Sequence, residues 1–380
     1  MRQMPERDVV VIGAGIVGLA CAWRAAQAGL SVLVLDRGAP APGASAAAAG
    51  MLAPVTEAEF GEEALLRLNL EGAAAWPAFA AELSQASEVD LGYRPSGALV
   101  VAADRDDAEE LRRLHALQTS LGLDAEWLSG HDCRKLEPGL SPRVPAGVLA
   151  PHDGAVDPRA VLRALRVALE DLHVEVASAV EVTGFEESSA AIAGLNTSDG
   201  RVPARRVVVA AGAWSAGLGA DWAPPVRPVK GQILRLSGPA RPLLAERVVR
   251  TPRCYIVCRD NGEIVIGATV EERGFDTSVT AGAVHRLLEA AWEVLPDIEE
   301  RELVETRAAL RPGTPDNGPV IGAAGPAGLL WATGHHRNGV LLAPITGTAI
   351  AGLLADRPMS DAIEPFSPAR FERRPAGSSA

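Results

Sequence analysis

The stretch that most constrains this chain runs from Asp8 to Asp36, DVVVIGAGIVGLACAWRAAQAGLSVLVLD. Val9, Val10, Val11 and Ile12 form the unbroken apolar run of a strand buried on both faces. Gly13, Gly15 and Gly18 follow in G-x-G-x-x-G spacing: one for a tight turn, one for close approach of a pyrophosphate, one for helix–strand packing. The spacing predicts a helix from Ile16 to about Ala28 that stops at Gly29. Its first N–H groups and its dipole make a site for an anion. A second apolar strand, Ser31 to Leu35, ends on Asp36, 18 residues beyond Gly18, where an acid can meet ribose hydroxyls. A glycine motif by itself is a weak signal, since a plain glycine-rich turn reads the same. Strand, glycines, helix, strand and acid in this order point to dinucleotide binding. An acid at 36 disfavours a 2′-phosphate, so FAD or NAD is expected rather than NADP.

With 380 residues, 48% of them hydrophobic, the chain can build two domains or one large composite one. A net charge of −12 argues against nucleic acid or an anionic membrane surface as partner. Arg outnumbers Lys by 34 to 2, a compositional bias that we do not read as function. Cys21, Cys133, Cys254 and Cys258 include no C-x-x-C pair and are too few for a disulfide framework, so buried thiols in a reducing cytoplasm are expected, with no metal site. No hydrophobic signal region and no apolar run of about 20 residues is present, so no membrane span is expected.

Further along, 37–54 (RGAPAPGASAAAAGMLAP) reads by composition as a linker, but it follows the nucleotide motif directly and its small side chains would let backbone pass close to a cofactor. Helices are expected over Glu62–Leu83, Asp104–Leu121, Pro158–Leu172, Thr280–Leu295 and Gly347–Leu354. Tyr93–Ala102 reads as a strand pair and His173–Glu186 as one alternating strand. Ala191–Leu195 with Arg201–Val202 reads as a hairpin, and Val229–Leu236 as a further alternating strand. Arg206–Gly212 and Leu329–Thr333 are short buried strands. Asp260-Asn261-Gly262 between Cys254–Arg259 and Glu263–Ala268 is a strong hairpin signal. The expected architecture is α/β: a discontinuous Rossmann-like domain from 1–83, 146–223 and 307–380, with a second, mainly antiparallel β domain from 84–145 and 224–306. Ligand sites fall at such junctions.

The segments VVVIGAGIVGL (9–19), SAAAAGMLAP (45–54), VVVAAGAWS (207–215), PVKGQILRL (228–236), CYIVCRDNGEIVIGATV (254–270), ALRPGTPDNGPVIG (309–322) and GHHRNGVLLAPITG (334–347) resemble the D-amino acid oxidase family of FAD-dependent oxidoreductases. The last two segments mark its glycine oxidase-like branch, and the likeness covers nearly the whole chain. The resemblance implies that FAD is lined by Ile16, Val17, Asp36, Arg37, Ala44, Ser45, Ala49, Gly50, Met51, Val180, Gly212, His335, His336, Arg337, Asn338, Gly339, Val340 and Leu341, beside the three motif glycines. It implies that Arg311 pairs with a substrate carboxylate, that Tyr255 hydrogen-bonds it, and that Arg337 and Met51 are further contacts. Relatives with covalent flavin carry a cysteine where this chain reads Ala308, Ala309, Leu310, so FAD is expected to be bound non-covalently. At Val270 some relatives carry a larger side chain near the substrate.

A guanidinium matches a carboxylate in a two-pronged geometry and stays charged at any working pH. Arg311, before Pro312-Gly313, suits that role; its alternative is one more surface arginine. For Tyr255 the alternative is a half-buried core aromatic, and for Met51 plain packing. His335 and His336 lack a third ligand, so backbone contact with flavin is expected rather than metal binding. The helix expected from Gly347 would direct its positive end at the charge that a reduced flavin carries. With no strong general base among the candidates, the implied reaction is hydride transfer from the neutral amine of glycine, sarcosine or a small D-amino acid to flavin N5. O2 would then be reduced to H2O2, and the imine would supply thiazole synthesis. A dehydrogenase with another acceptor and a non-catalytic FAD-binding protein are the alternatives. A homo-oligomer is expected.

Overall fold

A computed structural model of the chain describes residues 6–38, 43–219 and 222–371. Residues 39–42 of the small-residue stretch and the end of the chain from 372 lie outside the described residues. The chain divides into two compact units: Met1–Ser45, Leu162–Pro228 and Arg311–Ala380 form one, and Ala46–Val161 with Val229–Leu310 the other.

The first unit is built on a six-stranded sheet in the order Val320–Ala323, Leu329–Thr333, Val207–Val209, Val9–Ile12, Val32–Asp36, Glu175–Ser178. Val9–Ile12 runs parallel to both of its neighbours, with Val10 opposite Val207 and Leu33. Val320–Ala323 is an antiparallel edge. The central strands Val9–Ile12 and Val207–Val209 are wholly apolar and buried, and Val10, Leu33, Val207, Leu329 and Trp331 pack in one core with the hairpin residues Ile192, Leu195 and Val202. The helix Ile16–Gln27 packs on a second helix, Gly339–Leu354. They approach so closely that a Cβ on Gly347 would lie 2.8 Å from the Ala20 carbonyl oxygen.

That last helix corrects one expectation: it begins at Gly339, not Gly347. Pro344 reads as a breaker, yet it sits inside the helix. An interior proline costs ~3 kcal/mol, and a helix whose residues from Val340 to Pro344 are all buried recovers this through packing. His173–Glu186 is likewise not one strand. Glu175–Ser178 joins the six-stranded sheet and Val182–Ser188 a three-stranded one, with the chain turning at Ala179, whose φ is 61°.

The second unit holds an eight-stranded sheet: Glu302–Gly313, Arg227–Ser237, Glu263–Gly267, Tyr255–Cys258, Val248–Arg250, Ala98–Val101, Ala146–Ala150, Glu126–Ser129. Arg227–Ser237 through Val248–Arg250 is antiparallel, as is Ala98–Val101 through Glu126–Ser129, and the two groups join at one parallel pair, Val248 to Ala98. The turn at 260–262 closes the expected hairpin, with Gly262 at φ 84°. Thr280 and Asp104 cap the helices Ala281–Val294 and Arg105–Ser120 with their side chains. The expected strand pair at Tyr93–Ala102 is one strand, Ala98–Val101, because Pro95 and Gly97 (φ 87°) interrupt the extended chain; Arg94 makes only an isolated bridge to Ala155.

The strand expected over Val229–Leu236 is present within Arg227–Ser237. Its polar residues Lys230, Gln232 and Arg235 are all about 1% exposed. Lys230 Nζ meets Asp276 Oδ2 at 2.6 Å, Gln232 Nε2 donates to Glu271 at 2.7 Å, and Arg235 pairs with Glu263 at 2.7 Å. Lys230 and Gln232 lie on one face of the strand and Arg235 on the other, so polar groups on both faces are buried against partners.

Candidate cofactor and substrate site

In the first unit the strand–turn–helix is held by hydrogen bonds that the sequence only implied. Gly13 has φ 110°, and a Cβ there would lie 2.4 Å from the Ala210 carbonyl oxygen. A Cβ on Gly18 would strike Gly13 O at 1.9 Å. Ala14 N–H donates to Asp36 Oδ2 at 2.7 Å, and Gly38 N–H donates to Asp36 Oδ1 at 2.8 Å. Ile16 N–H donates to Ser45 Oγ at 3.0 Å. Asp36 therefore braces two turns with one carboxylate, and its main-chain carbonyl accepts from Val180 N–H at 2.9 Å. Arg37 stacks over the Trp214 ring at 4.1 Å, in the turn opened by Gly212 (φ 57°). Gly13, Gly15, Ile16, Asp36, Ser45 and Val180 thus lie in one connected set, with Val17 and Gly18 on its helix.

At 335–341 the chain turns into the last helix. His335 is buried, its Nε2 3.0 Å from Thr346 Oγ1, and burial pushes its pKa down to about 3. His336 N–H donates to Pro312 O at 2.9 Å from a left-handed backbone (φ 46°). Burial first, and then the charges of Arg311, Arg337 and Arg227, lower its ring to about 4. Both histidines are neutral at neutral pH. Arg311 and Arg337, 26 positions apart, therefore act on one ring. Arg227 is a third guanidinium that the sequence reading missed; its Nη1 donates to Thr314 O at 3.0 Å. At the head of an alternating strand, nothing distinguished it from a surface arginine. Asn338 N–H donates to His335 O, and Gly339, Val340 and Leu341 open the helix.

In the second unit, Met51 and Tyr255 pack against one cluster of Ala49, Ala98, Ala155, Val248, Val257 and Val265. Tyr255 stands opposite Gly267 in the ladder, and its ring lies across that glycine: a Cβ on Gly267 would be 2.3 Å from the Tyr255 hydroxyl oxygen. Gly50 (φ 82°) abuts Val156, where a Cβ would lie 2.0 Å from the carbonyl oxygen. The residues expected to touch substrate thus form two groups: Met51 with Tyr255, and Arg311 with Arg337. Val270, 71% exposed, belongs to neither.

The donor set fits a phosphate-bearing cofactor with a polar ring. The N-cap of Ile16–Gln27 is Gly15, and that of Gly339–Leu354 is Asn338; neither cap residue closes its helix with its own side chain, and at the first of them Ser45 Oγ accepts from Ile16 N–H. Helix N-termini attract negative charge. Among the described residues, His336 Nδ1 is buried with no hydrogen-bond partner, which suits a group supplied from outside the chain. The four cysteines are free and buried, and burial raises the Cys254 and Cys258 thiols to about 11. Among the described residues, no group of three His, Cys, Asp or Glu side chains could hold a metal ion.

A family model described as FAD dependent oxidoreductase (DAO) matches residues 8–353. The chain belongs to this family. As a member, it is an enzyme with FAD as its cofactor. Glycine oxidase of Geobacillus kaustophilus is 34% identical over 95% of this chain and 96% of its own length. The bifunctional protein ThiO/ThiG of Trichormus variabilis is 35% identical over 97% of this chain, which spans just over half (56%) of that longer protein. Among solved structures, a crystal structure of glycine oxidase from Geobacillus kaustophilus matches with a TM-score of 0.91 at 32% identity, covering 97% of this chain and all of the other. No helix of the described residues is long and apolar enough to cross a membrane.

Proposed function

We propose that this FAD-dependent amino acid oxidase converts glycine to its imine, with sarcosine and small D-amino acids as further substrates, and passes the electrons to O2 as H2O2. The observation that carries the reading is the group of Arg227, Arg311 and Arg337 around a neutral His336. Three guanidiniums acting on one neutral ring favour an anionic ligand. The carboxylate of a small amino acid is its strongest handle, and Arg311 is the residue we assign to grip it in a fork. Arg337 adds charge, and the Tyr255 hydroxyl donates to the same carboxylate. Neutral histidines leave no strong base, so the amine binds in its neutral form. Met51, Gly50, Ala49, Ala44 and Ser45, with the residues from Gly13 to Gly18, Asp36, Arg37, Val180, Gly212 and 335–341, would hold FAD. FAD, when bound, accepts the two electrons released as the substrate C–N bond becomes C=N.

We assign the imine to thiazole synthesis and the chain to the cytoplasm as a homo-oligomer. Purified yellow protein mixed anaerobically with glycine, sarcosine and D-alanine tests the reading, with glycine expected to bleach the flavin band. Air should then yield H2O2. Dye reduction without H2O2 would make the enzyme a dehydrogenase, and a flavin unchanged by every small amine would make the chain non-catalytic. Non-covalent binding requires acid precipitation to leave the flavin in the supernatant.

A further inference from the structure

The segment from Ala46 to Gly50 is gripped from one side by arginines distant in sequence. Arg159 Nε donates to Ala46 O at 3.0 Å, and Arg235 Nη2 donates to the same oxygen at 3.1 Å and to Ala48 O at 3.4 Å. Arg259 Nη2 donates to Ala49 O at 2.9 Å, and its Nη1 to Val156 O at 3.1 Å. The next carbonyl, Gly50 O, accepts from Val156 N–H at 2.9 Å. Two carboxylates hold the guanidiniums. Glu263 meets Arg235 and Arg259 at 2.7 Å each, and both carboxylate oxygens of Glu305 accept from Arg159 Nη2 at 2.7 and 2.9 Å. Arg235 is 1% and Arg259 7% exposed. Burying charges this deeply is costly before pairing, and a run of alanines has no packing need for it.

The peptide plane explains what the arrangement does. In a trans peptide the C=O of one residue and the N–H of the next point in opposite directions. Guanidiniums on the carbonyls of Ala48 and Ala49 therefore turn the N–H groups of Ala49 and Gly50 to the other side of the segment. We infer that Arg159, Arg235 and Arg259 are positioning residues that fix the Ala46–Gly50 backbone so that the Ala49 and Gly50 N–H groups are presented to FAD. The inference rests on the reading that Ala49, Gly50 and Met51 line the cofactor. Carbonyls turned the other way would set a row of negative dipoles against a cofactor that gains negative charge on reduction.

The test uses apo-protein titrated with FAD, the visible spectrum of the bound flavin, and the melting temperature of the apo-protein. Arg259→Met should raise the FAD dissociation constant at least tenfold and shift the flavin bands, and Arg259→Lys should recover part of the loss. Arg159→Met, at a partly exposed side chain, should raise the constant several-fold with little change in apo-protein melting. Arg253→Met, which breaks a pairing with Glu293 elsewhere in the same unit, should change neither affinity nor spectrum. If Met51→Ala shifts affinity or spectrum while Arg159→Met and Arg259→Met leave both unchanged, the inference is overturned and the reading of the cofactor segment survives. If Met51→Ala also changes nothing, the segment does not meet FAD and both fall.

Discussion

Replacing Asp36 separates the two jobs that its carboxylate would do. Its oxygens accept from Ala14 N–H at 2.7 Å and Gly38 N–H at 2.8 Å, so Asp36→Ala removes the brace of the glycine turn and of the turn after the second strand. A hydrogen bond to a charged acceptor contributes about 1.5–3 kcal/mol. The site is only half-buried, so water can replace part of it, and the low end for two bonds gives about 3 kcal/mol of apo-protein stability. At about 2.1 cal/mol/K of unfolding entropy per residue, that lowers the melting temperature of the whole chain by roughly 4 °C. The ribose contact adds a separate loss in FAD affinity, about ten- to a hundredfold for one charged hydrogen bond. Asp36→Asn keeps one acceptor oxygen and should fall between the two. The assay is calorimetry of apo-protein beside FAD titration of the same samples at a temperature where every variant is folded. A lowered melting temperature with unchanged FAD affinity would leave Asp36 a brace alone and refute its ribose role. An unchanged melting temperature would refute the brace.

Arg311→Ala should cost about 2–5 kcal/mol in glycine binding and reduction, roughly 30- to several-thousand-fold, at full FAD occupancy, with Arg311→Lys recovering part; rapid-mixing reduction decides, and wild-type behaviour would move the carboxylate to Arg337 or Arg227. Gly267→Ala puts a carbon 2.3 Å from the Tyr255 hydroxyl oxygen and so displaces the ring; reduction by glycine should slow about tenfold or more, and an unchanged rate would remove Tyr255 from the substrate site. Asp153 is fully buried, accepting from Val55 N–H, Thr56 N–H and Thr56 Oγ, and burial outweighs these donors to raise its pKa to about 6. The folded state then holds this proton more tightly than the unfolded chain, so its contribution to stability is greatest below the ordinary value of 3.8 and is lost as pH rises through 6. Wild type should therefore lose about 3 kcal/mol relative to Asp153→Asn between roughly pH 4 and 7, read by denaturant unfolding; a pH-independent difference would show that the carboxylate titrates normally.

Local chemistry wrote the first βαβ segment plainly into the sequence. Valine runs, glycines at fixed offsets and a terminal acid each act within a few residues, so their arrangement is decided before any distant contact forms. The same holds for the turn at Asp260-Asn261-Gly262 and for the caps at Asp104 and Thr280. Tertiary structure decided what depends on burial. Pro344 could sit inside a helix because packing on Ile16–Gln27 outweighs its cost, so the helix starts at Gly339. Lys230, Gln232 and Arg235 are polar side chains within one strand, and whether each meets water or a partner is set by segments far along the chain. Arg227 reached His336, and Arg159, Arg235 and Arg259 reached the alanine carbonyls, for the same reason. A guanidinium has one chemistry everywhere in a chain of 34 arginines, and only the folded backbone determines which of them finds a carbonyl, a carboxylate or an open surface.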